Sequence, residues 1–352
     1  MPLIGGTAIL SRKEILDRLR GSRWIELQFL KIFPLPGSLS LLRKILALSS
    51  VVYVKNEVLD LIPVLVAKHD TNTPVVCGVH TALHYFDWRS LRAVVHNNAY
   101  SSVLYGHLLS ACDIIHVLNP DDKKFLEKIL YVDSSKVYEV PLWIDHEHFE
   151  ARTRKKDNHY FRILFIGGLD IRKGIDVFLQ GIAQLFKEYL EKFIQMSFTI
   201  IGKGPLIGYV REAQAKYGNI NYKPFITGSK VDLYNEHDVL VVPSRGETFS
   251  YVTLEALSCG LPVIASDIPG PRSLIENERT GILFPVGDVP ALAKAILSMH
   301  SLWTDRARYE NMRSECRRFA LRDFSPNSIL NVFEKMLKRA ASMKLSGGSK
   351  QS

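Results

Sequence analysis

Two glutamates and a lysine are the residues of this 352-residue chain whose types and surroundings suggest chemistry. Glu247 and Glu255 lie within DVLVVPSRGETFSYVTLEALSCGLPVIASD, which runs from Asp238 to Asp267. The apolar run Val239–Val242 ends at Pro243-Ser244, as a buried parallel strand ends at its carboxyl edge. A polar loop with Arg245, Gly246 and Glu247 follows. A helical pattern then starts at Ser250, and Gly260 and Pro262 stop it. Pro262–Ser266 reads as the next strand. The unit is therefore β–loop–α–β, with Glu247 on the loop and Glu255 early in the helix. Ligands of open α/β sheets collect outside the strand ends, and helix starts there attract anions. The two carboxylates flank a natural phosphate site.

Lys173 lies in a second loop of this kind. RILFIGGLDIRKGIDVF places a strand over Arg162–Ile166, a loop over Gly167–Gly174 and a helix from Ile175. Glycines let backbone approach a pyrophosphate closely, and cations neutralise it. Gly168, Arg172 and Lys173 are the candidates here. SFTIIGKGP repeats the strand-then-glycine theme, with Gly202 and Gly204 on either side of Lys203. The backbone N–H groups near Phe249 and Ser250 add a helix start. His80 ends the strand Pro74–His80 at its carboxyl edge, facing a ligand crevice, and His84 is a nearby competitor for that place.

P-S-x-x-E-x-F followed by L-E-A-L-S-C-G-L-P-V-I-A-S resembles the signature of the retaining, nucleotide-sugar-dependent glycosyltransferases of family four. The resemblance implies an α/β chain of the GT-B fold, with two Rossmann-like doubly wound domains facing a cleft. It implies hexosyl transfer from a nucleoside diphosphate sugar to an acceptor hydroxyl with retention of configuration. Lys173 then resembles the lysine that pairs with the donor diphosphate. The family's usual arginine is Gly168 in this chain, so Arg172 is the substitute charge. Glu247 takes the sugar side, Glu255 the ribose, and His80 the place lining the acceptor and donor-sugar site. The Gly5-Gly6 loop resembles the one that approaches the diphosphate from the first domain. Two places depart from the pattern: Pro141-Leu142-Trp143-Ile144-Asp145 replaces the usual Pro-Asn-Gly-Val-Asp, and Gly270-Pro271-Arg272-Ser273 replaces Gly-Pro-Arg-Glu. Arg272 is a weaker candidate for ligand contact. The sequence contains no Asp-x-Asp, so cofactor-free and metal-independent transfer is expected, with cations and helix dipoles replacing a metal.

The elements that must position these groups divide as residues 1–155 for an acceptor-side domain and 156–324 for a donor-side domain. A helix over 325–340 returns to the first domain, and 341–352 forms a loose tail. No strand precedes Gly5-Gly6-Thr7, so the first strand is read as absent, or encoded upstream of Met1. Strands are expected at Trp24–Leu30, Val51–Glu57, Pro74–His80, Cys112–Asn119 and Lys136–Asp145. Helices are expected near Ser38–Leu48, Leu59–Lys68, Tyr100–Ala111 and Pro120–Ile129. The polar stretch 151–160 reads as the linker.

A chain that is 47% hydrophobic and 23% charged has the makings of two ordinary cores. Its net charge of +9 gathers in Arg12–Arg23 and Arg306–Lys344. Such basic helices are either solvated faces or contacts for an anionic membrane surface. Nucleic acid is not expected as a partner. Four scattered cysteines without metal-like spacing suit reduced thiols in a cytoplasmic protein. No apolar run reaches about 18 residues, so any membrane contact is expected to be peripheral, on the inner face of the cell membrane. The partners expected are a nucleotide-sugar donor and a glycan, glycolipid or lipid-linked acceptor. The alternatives are a sugar phosphorylase or synthase on the same fold, a nicotinamide-dependent dehydrogenase and a non-catalytic scaffold. The dehydrogenase leaves Glu247, Glu255 and Lys173 unexplained together and lacks a full G-x-G-x-x-G after a strand.

Overall fold

The computed structural model describes residues 24–26, 38–55, 58–83, 91–152 and 160–347. Gly5, Gly6, His84 and most of the expected linker lie outside them. The described chain forms two units: residues up to Trp143 together with Pro326 onward, and Ile144–Ser325. The divide falls ahead of the expected break after residue 155. The cause is local, because Ile144 N–H donates to the Phe324 carbonyl at 3.0 Å. Ser258 Oγ also holds the Phe149 carbonyl at 3.0 Å, and Phe149 is buried in the second unit's core.

The first unit carries a parallel sheet in the order β1-β2-β3-β4-β5. Its strands are β1 (Trp24–Glu26), β2 (Val51–Lys55), β3 (Val75–Val79), β4 (Ile114–Val117) and β5 (Val137–Glu139). Every residue of β3 and β4 is buried, which is why they read as near-continuous apolar runs, broken only by His116 in β4. Three expectations change here. The helix anticipated over Tyr100–Ala111 is two helices, Leu91–Tyr100 and Val103–Ser110. Ser102 separates them, its side chain capping Tyr105 N–H at 3.2 Å. The strand anticipated over Lys136–Asp145 is only the three residues of β5. The closing helix Pro326–Gly347 runs well past 340 into the expected tail. Its Ile329, Met336, Leu337 and Ala340 pack with Val51, Val76, Ile114 and Val140 from the sheet.

The second unit carries a six-stranded parallel sheet in the order β11-β10-β9-β6-β7-β8. The strands are β6 (Phe161–Ile166), β7 (Met196–Ile201), β8 (Ile220–Lys223), β9 (Val239–Val242), β10 (Val263–Ser266) and β11 (Gly281–Phe284). The chain walks outward from β6 to β8, then returns to the other side of β6 as β9. That reversal makes a switch point between β6 and β9, with Ile163 beside Val239 and Leu164 beside Leu240. The loops leaving the two strands are Gly167–Gly174 and Pro243–Ser250. They meet at the carboxyl edge of the sheet.

The meeting needs a glycine. Gly174 has φ +71°, and a Cβ there would fall 1.8 Å from the Pro243 carbonyl oxygen. Gly218 has a similar φ, +65°, but no atom stands within 4 Å of the Cβ it would gain. Gly218→Ala should therefore cost about 1–2 kcal/mol, the penalty for a left-handed residue alone. Gly174→Ala should cost distinctly more, because the loops must part. Urea unfolding of the two variants measures the difference, and equal midpoints would show that the loops do not need this contact.

Candidate active site

Three loops and the short helix Pro269–Arg272 at the carboxyl edge of the second sheet are laced by backbone bonds. Leu169 N–H donates to Lys203 O at 2.9 Å, and Arg245 N–H to Arg172 O at 2.8 Å. Gly270 N–H donates to Glu247 O at 2.9 Å. Arg245 adds a side-chain tie, gripping both Asp176 oxygens at 2.8 and 2.7 Å. Its guanidinium also reaches the Ile171 carbonyl. Arg245 is thus a structural clamp between the loop of Glu247 and the helix that follows the loop of Lys173.

Within this frame Lys173 Nζ lies 2.5 Å from Glu247 Oε1. Ser244 Oγ donates to the same oxygen at 2.8 Å. Asp170 Oδ1 accepts the Lys173 backbone N–H at 2.9 Å, which fixes the turn carrying the lysine. Glu247 is 7% exposed, and burial alone would raise its carboxyl. The Lys173 charge, with hydrogen bonds from Lys173, Ser250 and Ser244, overrides burial and brings the carboxyl below its ordinary range. Glu247 is therefore ionised at neutral pH.

Glu255 is placed differently. It is fully buried in the helix Tyr251–Ser258. Lys230 Nζ reaches its two oxygens at 2.7 and 2.6 Å, and Tyr234 Oη donates to Oε2 at 2.6 Å. Here burial wins: the carboxyl is raised despite the opposing pull of Lys230, the Tyr234 hydroxyl and His148. The two glutamates thus each have a lysine, and environment drives their acidities in opposite directions.

The helix Tyr251–Ser258 begins without a side-chain cap. The Ser250 hydroxyl accepts instead from Thr253 Oγ1 at 2.9 Å. The N–H groups of the first turn thus gain no cap from Ser250, an arrangement that suits an anion. The Phe249 ring packs on Tyr251 and Phe324, with centroids 5.6 and 6.2 Å away.

The remaining sequence candidates fall as follows. Gly168 sits in the Lys173 turn, where an added Cβ would stand 2.9 Å from Asp170 Oδ2. Arg172 is exposed. Gly202 and Gly204 serve close packing: a Cβ on either would strike the Gly167 or Leu169 carbonyl, at 1.8 and 2.4 Å. Lys203 between them lies over the Phe225 ring, 4.6 Å from its centroid. Arg272 pairs with exposed Asp267 at 2.6 Å. His80 is in the other unit, just past β3, and bonds Tyr53 Oη at 2.8 Å.

Sequence reasoning missed Lys230, Tyr234, Ser244 and Asp176. Ser244 was open to discovery as a hydroxyl three residues from Glu247 on one tight loop. Lys230 and Tyr234 gave no local signal, because their bond to Glu255 spans a stretch of chain that only tertiary folding closes.

Residues 160–301 match the family model described as glycosyl transferases group 1. Among curated proteins, the UDP-Gal:alpha-D-GlcNAc-diphosphoundecaprenol alpha-1,3-galactosyltransferase of Escherichia coli is 28% identical over 239 residues, 64% of this chain and 58% of that protein. The GalNAc-alpha-(1->4)-GalNAc-alpha-(1->3)-diNAcBac-PP-undecaprenol alpha-1,4-N-acetyl-D-galactosaminyltransferase of Campylobacter jejuni is 28% identical over 288 residues, 80% of this chain and 71% of that one. Among solved structures, Anabaena HepE in complex with UDP matches with a TM-score of 0.70 at 15% identity, over 86% of this chain and 82% of that one. At that identity the likeness is one of fold. The chain spans less than two thirds of the Escherichia coli relative.

Replacing Lys173 by methionine keeps the stem and strands the Glu247 carboxylate. At pH 7 the unfolding free energy should fall by about 3–5 kcal/mol, and the double variant K173M/E247Q should recover much of it. The pH dependence has a definite sign. In the wild type the Glu247 contribution is present above about pH 4.5, the ordinary carboxyl value, and is lost as pH falls through its lower folded value. In K173M burial acts unopposed by the lysine, so this contribution should reverse, with stability falling as pH rises. Urea titrations across pH check both, and an unchanged midpoint in K173M would mean that the pair is not buried.

Proposed function

We propose, for a chain that belongs through residues 160–301 to the glycosyl transferases group 1 family and has the GT-B fold, that it transfers a sugar from a nucleoside diphosphate donor to an acceptor hydroxyl, with retention. One observation carries the reading: an ionised, buried Glu247 held on Lys173 at the switch point of a parallel sheet, beside a helix start without a side-chain cap. Diphosphate departure builds negative charge, and preorganised cations and N–H dipoles stabilise it where water is excluded. Lys173 is placed for that role, with Arg172 as a second, exposed cation. Glu247 holds sugar hydroxyls or steadies the positive charge developing at the anomeric carbon.

Glu255 takes the ribose diol. Lys230 and Tyr234 occupy three of about four lone-pair positions on its two oxygens, so a ribose hydroxyl must share the carboxylate with Lys230 or displace it. The names of the Escherichia coli and Campylobacter jejuni relatives, both acting on undecaprenol-linked sugars, support a lipid-linked glycan acceptor. A lipid-linked acceptor puts the chain beside a membrane in this reading, and the basic stretch Arg306–Lys344 suits a peripheral position on an anionic, cytoplasm-facing surface. Among the described residues no helix is long and apolar enough to cross a membrane.

Transfer needs no metal in this reading. Purified protein given labelled UDP-, GDP- and ADP-sugars with an undecaprenyl-linked acceptor should turn over one of them equally with and without EDTA. Glu255→Ala should raise the donor KM, and Glu247→Ala should cut kcat by about 10²–10³, the worth of one electrostatic contact in a closed site. Loss of turnover in EDTA would refute the metal-free mechanism, and wild-type kinetics in both variants would remove the two glutamates from the site.

A further inference from the structure

A second ion pair of the second unit closes over Glu255. Lys230 Nζ touches Oε1 at 2.7 Å and Oε2 at 2.6 Å, and Tyr234 Oη donates to Oε2 at 2.6 Å. Residues 230 and 234 lie one turn apart on the helix Lys230–Glu236, so both donors converge on one carboxylate. Ser229 caps that helix, its Oγ accepting from Val231 N–H at 3.1 Å, which fixes the backbone from which Lys230 reaches. The Glu255 and Tyr234 side chains are fully buried, whereas that of Lys230 is 25% exposed. Of the three, only the lysine reaches solvent.

A ribose hydroxyl has two ways to reach Glu255, and the charges decide between them. Displacement would leave the carboxylate without its ammonium in a place closed to solvent, and stripping one partner from a buried pair is severely unfavourable. The hydroxyl brings no charge in exchange. Burial already pushes the carboxyl up, with Lys230 the strongest opposing influence, followed by Tyr234 and His148. Sharing avoids the loss. An ammonium has three N–H donors, and the carboxylate takes at most two of them. Among the described residues Lys230 has no other partner. The remaining lone-pair position of the carboxylate is on Oε1, because Oε2 takes both Lys230 and Tyr234. Donor and acceptor thus stand side by side, and a hydroxyl is a group that answers both.

We propose that Lys230 is a ribose-binding residue that stays on Glu255 when the donor enters, giving a remaining N–H to a ribose hydroxyl whose own proton goes to Glu255 Oε1. This role rests on the reading that puts the donor's ribose at Glu255. The recognising group is then an ammonium–carboxylate pair in place of a lone carboxylate, and a sugar without hydroxyls offers it nothing.

A glutamine at 255 separates contact with the sugar from support of a buried charge. Glu255→Gln removes the charge that needs Lys230 and keeps an oxygen that accepts. Calorimetric titration of UDP, GDP and ADP identifies the nucleotide that the wild type binds, and its 2′,3′-dideoxy form measures what the ribose hydroxyls add. The wild type should prefer the ribose form by at least about tenfold. E255Q should keep part of that preference. The double variant K230M/E255Q should bind the ribose form about tenfold more weakly than E255Q, the worth of one charge-assisted hydrogen bond, with unchanged affinity for the dideoxy form. Neither variant strands a buried charge, and urea unfolding checks that both fold. Equal affinity of E255Q and K230M/E255Q for the ribose form, where the wild type prefers ribose, overturns the role of Lys230 alone. An equal loss for the ribose and dideoxy forms overturns it too, because the lysine would then act on another part of the nucleotide. A wild type that binds none of the three nucleotides, or binds both sugar forms alike, refutes the placing of the donor at Glu255 and the role of Lys230 with it.

Discussion

The ion pair between half-buried Lys173 and buried Glu247 sets the conditions for the rest of the second unit. Lys173 and Glu247 come from loops that leave adjacent strands on either side of the sheet's reversal. The buried Glu247 charge could not stay there without the half-buried lysine, because moving an ion out of water costs several kcal/mol. Keeping them together requires the two loops to be rigid and close. The surrounding features serve that end: the glycine at 174 that lets backbone touch backbone, the Asp170 turn beneath the lysine, and the Arg245 clamp on Asp176. A site built this way has its charges fixed before any ligand arrives, which electrostatic catalysis requires.

The same helix and loop then separate two chemically identical side chains. Glu247 meets a lysine and two serine hydroxyls and is held ionised. Glu255 lies deeper, and burial prevails over Lys230 and Tyr234 to raise its carboxyl. A carboxylate of lowered pKa suits a group that must answer positive charge, and one in a drier pocket suits selective binding of hydroxyls. Their separation along the chain matters less than the difference in what surrounds them.

How much of this was legible in the sequence depended on locality. The β9–loop–helix–β10 unit could be read because a doubly covered parallel strand is an apolar run, ended here by Pro243, and because Gly260 stops the helix that follows. Its Lys173 counterpart could be read because glycine spacing marks a strand-to-helix turn. Where the signal was only apolar content it misled: Tyr100–Ala111 looked continuous until Ser101 and Ser102 proved to be a break, and Lys136–Asp145 looked like a strand although only Val137–Glu139 finds a partner. The grip of Lys230 and Tyr234 on Glu255 left no trace in local pattern. Long side chains and strand order decide such contacts, and both are properties of the folded sheet. The glycines at 202 and 204 were noticed for approach to a phosphate, whereas their tight contacts are with the Gly167 and Leu169 carbonyls.

The claim on which the account turns is that the Lys173–Glu247 pair is the place where a nucleoside diphosphate binds. Calorimetric titration of UDP, GDP and ADP into the wild type, K173M, E247Q and the double variant tests it most directly. One nucleotide should bind the wild type, and K173M should weaken it by about ten- to a hundredfold, one charge-assisted contact of 1.5–3 kcal/mol. E247Q, which frees the lysine, should bind that nucleotide at least as well. Wild-type affinity in K173M would contradict it.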